Sequence, residues 1–117
     1  MALLGEIEMR EDARGVTLRV LLKQAALNPL GILHGGALST FFDVAMYEAA
    51  KTDGEVVTVA EEIKFLSAIL PDRPLTVGAE ILRSGRNAVF CTARATQGDK
   101  LCGYATAQFA RYQPPAA

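Results

Sequence analysis

One segment limits what this chain can fold into. The run from about Gly36 to Lys51, GALSTFFDVAMYEAAK, is the only stretch with the length and composition of a substantial helix, opening after His-Gly-Gly and stopping before Asp53-Gly54. Its apolar residues Ala37, Leu38, Phe41, Phe42, Val44, Ala45, Met46, Ala49 and Ala50 cover most of the circumference. Such a helix is buried on most sides rather than lying on a surface. One narrow polar line interrupts it, with Ser39, Asp43 and Tyr47 at i, i+4 and i+8 and Thr40 beside them. The fold has to wrap nearly the whole helix and still account for that seam.

The rest of the chain supplies the wrapping. Leu3–Arg10 and Gly15–Lys23 alternate with period two around a turn at Glu11-Asp12-Ala13-Arg14, which puts Val16, Leu18, Val20 and Leu22 on one face. Further strands are expected at Val56–Leu66, Leu75–Arg83, Ala88–Thr96 and Leu101–Tyr112, and the tail Pro114–Ala117 is expected to fray. Alternation along Val56–Leu66 places Glu62 on the face of Thr58. Strand, strand, helix, four strands is an α+β order: one long central helix wrapped by a curved antiparallel sheet of about six strands. An open sheet of that size has edges to cover, which predicts a homodimer at least, and a homotetramer is also expected.

With 117 residues the chain reads as one domain, 1–117, able to bury roughly two-thirds of its unfolded surface. Half of it is hydrophobic, which excludes intrinsic disorder, and 12 basic against 13 acidic side chains argue against a nucleic-acid partner. The longest apolar runs, such as Val44–Tyr47, are far short of the roughly 20 residues that span a bilayer. Glu6 and Glu8 follow the start too closely for a signal peptide. Two cysteines and one histidine are too few for a structural zinc site or a disulfide scaffold, so metal catalysis is not expected. If Gly98-Asp99 turns a hairpin, Cys91 faces the neighbourhood of Thr106 and Cys102 that of Ala95, too far apart to bridge. The expected setting is a reducing cytoplasm.

Chemistry concentrates in Asn28-Pro-Leu-Gly-Ile-Leu-His34-Gly35-Gly36, followed eight residues after Gly35 by Asp43. Two glycines at a helix entrance leave backbone N–H groups uncovered where the macrodipole is positive, which suits a developing oxyanion. The plainer reading is that Gly-Gly lets the chain turn while His34 caps the loop. Asp43 lies two turns inside the helix between Phe42 and Val44, beyond the reach of the N-terminal dipole. Either the seam is simply wet, or it lines a cavity in which Asp43 serves as base or nucleophile.

The spacing of Asn28, His34-Gly35-Gly36 and Asp43 resembles that of hotdog-fold acyl-CoA thioesterases, specifically the small phenylacetate-pathway (PaaI-like) type. Val57-Thr58-Val59 with Phe65-Leu66, the Arg83-Ser84-Gly85-Arg86 turn and Ala105-Thr106-Ala107-Gln108-Phe109 are similar to that family's later strands. The family's Phe-Leu-x-Pro step is altered, with Ser67-Ala68 after Leu66 and proline delayed to Pro71.

The resemblance implies hydrolysis of an aromatic or medium-chain acyl-CoA. The Gly35 N–H and the helix N-terminus at Gly36 would polarise the thioester carbonyl, with the Asn28 amide near it and His34 shaping the loop. Asp43 would come from the partner subunit, and Thr58 would hold the water or the carboxylate. Arg83, Ser84, Gly85 and Arg86 would meet the CoA phosphates, although two solvated turn arginines would look the same in sequence. Two other readings stay open: a non-catalytic acyl-CoA or lipid-binding module, and an acyl-thioester dehydratase or hydratase. The second lacks a histidine beyond Asp43.

Overall fold

The computed structural model describes residues 2–113. Six strands, β1 (Gly5–Glu11), β2 (Gly15–Leu22), β3 (Val56–Phe65), β4 (Leu75–Ser84), β5 (Ala88–Gln97) and β6 (Lys100–Arg111), accompany one helix, α1 (Gly35–Ala50). They form a single sheet in the order β1-β2-β4-β5-β6-β3, antiparallel throughout. This is the hotdog arrangement expected from the sequence. The helix starts one residue earlier than expected, and Lys51 opens a short 3-10 turn that ends at Gly54, where φ of 128° requires glycine. The tail Pro114–Ala117 lies outside the described residues.

The inner face of the sheet closes on α1. Phe41, Phe42 and Met46 are fully buried against a layer that includes Leu18, Val20, Leu75, Val77, Val89 and Phe109. Burying side chains of this size is worth about 2 kcal/mol each. On β5 and β6 the inner positions are small, Ala93, Ala95, Ala105 and Ala107, which leaves room for the large side chains of α1. Side chains of α1 reach the backbone at Gly103, where a Cβ would stand 3.2 Å from Leu38 Cδ2 and 3.3 Å from Phe42 Cζ.

Three β-bulges interrupt strict alternation, and two of them change a face assignment made from it. In β3 the register steps between Thr58 and Ala60: Thr58 pairs with Phe109, and then Glu61, Ile63 and Phe65 pair with Ala107, Ala105 and Gly103, all buried inner residues. Directly opposed residues share a face, so Glu61 and not Glu62 lies on the side of Thr58. Glu62 opposes exposed Thr106 on the outer side. A step between Ile81 and Arg83 sets Arg83 opposite Phe90 and Ser84 opposite buried Val89. A third, between Ala95 and Thr96, puts Cys91 opposite Ala107 rather than Thr106. Both cysteines are buried and free.

The two sheet edges differ. β1 carries exposed Glu6, Glu8, Arg10 and Glu11, charges that discourage another strand. β3 leaves Val57 48%, Val59 58% and Phe65 58% exposed.

Candidate active site

His34 builds the entrance to α1. Its backbone is extended and its Nδ1 accepts the Ala37 N–H at 2.9 Å, while its carbonyl accepts Ala37 and Leu38. An imidazole that accepts through Nδ1 carries its proton on Nε2. The cap reading of His34 is therefore met literally, and it leaves the N–H groups of Gly35 and Gly36 without an acceptor among the described residues. Both glycines are exposed.

The loop before the helix is pinned from three directions. His34 N–H donates to Ala26 O and Leu33 N–H to Ile69 O, each at 2.9 Å. Asn28 Oδ1 accepts the N–H of Leu30 at 2.9 Å and of Ile32 at 3.3 Å. The carboxamide oxygen of Asn28 thus braces its own loop, and its Nδ2 makes no hydrogen bond among the described residues. Beside this loop Gly35 opens onto an apolar pocket of about 350 Å³, walled by Ile32, Leu38, Phe65, Leu66 and Ile69.

Asp43 is exposed in the single chain, and it makes no hydrogen bond or ion pair among the described residues. The desolvated carboxylate that its apolar neighbours suggested is not present in one chain; the seam is wet there. Ser39 and Thr40 turn their hydroxyls back onto Gly35 O and Gly36 O. β3 runs along the seam in the opposite direction to α1. The Phe65 ring lies against Gly35, Glu61 lies within reach of the Asp43 charge, and Glu55 accepts the Tyr47 hydroxyl. Burial, then the charge of Asp43, holds the Glu61 carboxyl above the ordinary carboxylate range. The Tyr47 bond, helped by the Val56 N–H, pulls Glu55 below that range and raises Tyr47 in turn. Thr58 is exposed on the inner face between the levels of Glu61 and Glu55 and is not hydrogen-bonded to Asp43.

Eight residues separate Gly35 from Asp43, which is about 12 Å along a helix axis. The free N–H of Gly35 and the carboxylate of Asp43 thus stand about two helical turns apart on one chain.

The β4–β5 turn lies at the other end of β3. Ser84 closes β4, Gly85 N–H donates to Ala88 O, and Arg83 and Arg86 are exposed. Arg111, which the sequence reading did not single out, donates from Nη2 to Ser84 Oγ at 2.7 Å and from Nε to Gly85 O. Its Nη1 is buried with no partner among the described residues. Arg111 pairs with Val56 and Gly35 meets Phe65, so nine strand residues, about 30 Å, separate this turn from the Gly35 of its own chain. Glu61 was missed because the bulge hides it. Arg111 shows only as one arginine closing an alternating strand.

Among the described residues no group of three or more His, Cys, Asp or Glu gathers in a way that could hold a metal ion. No helix among them is long and apolar enough to cross a membrane.

Comparison with known proteins gives this architecture a family. No curated protein matches the sequence significantly. A conserved protein of known structure from Pseudomonas aeruginosa is 27% identical, with a TM-score of 0.86 over 93% of this chain and 90% of its own. A mutant of the phenylacetic acid degradation protein PaaI from Thermus thermophilus superposes with a TM-score of 0.88 at 20% identity, over 96% of this chain and 97% of its own. A hypothetical thioesterase from Streptococcus pneumoniae, solved with coenzyme A, gives 0.83 at 24% identity over 92% of each chain. At those last two identities the likeness speaks for the fold. The family model described as Thioesterase superfamily matches residues 30–104, from the Asn28 loop through α1 to β6. The chain belongs to the thioesterase superfamily and is, by that membership, a thioester hydrolase.

Proposed function

We propose that the protein is an acyl-CoA thioesterase that hydrolyses an aromatic or medium-chain acyl-CoA to the free acid and CoA, at sites shared between two copies of the chain. One observation carries this reading: the unpartnered Gly35 and Gly36 N–H groups open beside an apolar pocket in a member of the thioesterase superfamily. The carbonyl oxygen accepts from these donors, an interaction typically worth about 3–4 kcal/mol as charge develops on the oxygen. The Nδ2 of Asn28, whose carbonyl oxygen is taken up by its own loop, joins them as a third donor. His34 keeps the helix entrance in shape.

Asp43 is the base for water, or the nucleophile, and it comes from the partner. The axial gap of about 12 Å within one chain supports this. So does the apolar β3 edge, which is the better edge for pairing with a second copy than the charged β1 edge. A twofold-related copy across β3 runs antiparallel, bringing Asp43 and Thr58 of one chain toward Gly35 of the other and desolvating the seam. The same operation carries the Arg83-Ser84-Gly85-Arg86 turn, with Arg111 behind Ser84, toward the partner's thioester, where its cations meet the CoA phosphates. A homodimer is therefore the minimal active form, and a homotetramer is compatible with it. The thiol of CoA resembles cysteine, with a pKa of about 8.5, and leaves as thiolate without a strong acid. No cofactor enters, because CoA is part of the substrate. A cytoplasmic setting suits the two free thiols.

Free-thiol release from a panel of aromatic, medium-chain and short-chain acyl-CoAs tests this. Turnover of at least one class is expected. Silence on every class by a protein that still binds CoA esters would replace the enzyme with a binding module.

A further inference from the structure

We propose that Glu61 sets the acyl selectivity of this site, favouring thioesters of uncharged acyl groups and rejecting acyl groups that end in a second carboxylate. The inference rests on the thioesterase reading and deepens it by naming the substrate class. It begins with the β3 bulge, which rotates Glu61 onto the inner face and sets it level with Asp43 on α1. An acyl carbon that Asp43 attacks, directly or through water, is within one short acyl chain of Glu61.

Nothing in the groove offsets the two charges. The four ion pairs among the described residues are Arg10–Glu8, Lys51–Glu48, Lys64–Glu62 and Arg73–Asp72, so neither Asp43 nor Glu61 has a cation. Lys64 stays on the outer face with Glu62, at 3.8 Å. The neighbouring inner positions of β3, Ile63 and Phe65, are apolar. Glu61 and Asp43 are both exposed in the single chain, so an arriving substrate carboxylate would face two like charges that no neighbouring cation neutralises, and what desolvation Glu61 has already disfavours its ionised form. An uncharged acyl group meets no such penalty.

The test compares kcat/KM for hexanoyl-CoA with adipoyl-CoA, and for benzoyl-CoA with 4-carboxybenzoyl-CoA, at neutral pH. Wild type should favour the uncharged member of a pair by about thirtyfold or more. Glu61→Gln should shrink that ratio at least about fivefold, chiefly through a lower KM for the carboxylated ester, while Glu61→Asp keeps it. Glu62→Gln, the same charge change one residue along on the outer face, should leave the ratio at its wild-type value. Melting temperature and oligomeric state of each variant separate selectivity from folding. A wild-type ratio near one, a Glu61→Gln ratio equal to wild type, or an equal shift in Glu62→Gln would overturn the proposal. Wild-type silence on all four esters and the wider panel would instead sink the thioesterase reading and this inference with it.

Discussion

The ring of Phe65, near the end of edge strand β3, lies against Gly35 at the first turn of α1, so that a Cβ on the glycine would stand 3.4 Å from Cζ. That is contact without clash, so Gly35→Ala is expected to fold. Its methyl would occupy the space in front of the free N–H groups, where the carbonyl has to approach. The variant should lose at least about tenfold in kcat/KM, with its melting temperature within a few degrees of wild type. Full activity would show that the carbonyl does not dock at this glycine.

His34 separates capping from chemistry. Its Nδ1 is already committed to the Ala37 N–H. His34→Ala should cost about 1 kcal/mol in urea unfolding, and His34→Asn, another good cap, should recover most of both stability and activity. A loss of more than about a hundredfold in kcat for His34→Asn, with stability intact, would make the imidazole a proton carrier after all.

Glu61 ties stability to pH. A carboxyl held above its ordinary value of 4.5 is more protonated in the folded chain than in the unfolded one. Its favourable contribution is therefore full below that value and is lost as pH rises through the raised folded value. Glu61→Gln should be more stable than wild type at pH 7, and the difference should vanish as the pH falls below the ordinary carboxylate range. A difference independent of pH would contradict this.

Cys91 is buried on the inner face, and burial pushes its thiol up to about 11. It should resist iodoacetamide in native protein at pH 8 and react on unfolding. Rapid native labelling of Cys91 would mean that β5 opens readily.

Much of this molecule was legible in its sequence because the helix announces itself. Apolar residues around most of α1 demand a wrapping sheet, and the turn residues divide the remaining chain into six strands. Of the candidate site, the free backbone N–H groups at Gly35 were legible from the Gly-Gly pair at a helix entrance. The exposure of Asp43 in the single chain was not, because Phe42 and Val44 beside it in sequence point to other sides of the helix. The face assignment on β3 failed because that strand bulges: one extra residue near Val59 exchanges Glu61 for Glu62, and composition gives no sign of it. Arg111 escaped because its partner, Ser84, is 27 residues away.

If each site takes Gly35 and Asn28 from one chain and Asp43 from the other, two inactive variants should complement each other across the subunit boundary. Asp43→Asn alone should lower kcat by about a hundred- to ten-thousandfold while leaving the assembly folded, and Asn28→Ala should also be nearly inactive. Unfolding and refolding the two variants together at equal concentration should form heterodimers in which one of the two sites is wholly wild type, restoring about a quarter of wild-type activity. No recovery despite demonstrated heterodimer formation would place each site within a single chain and contradict the account.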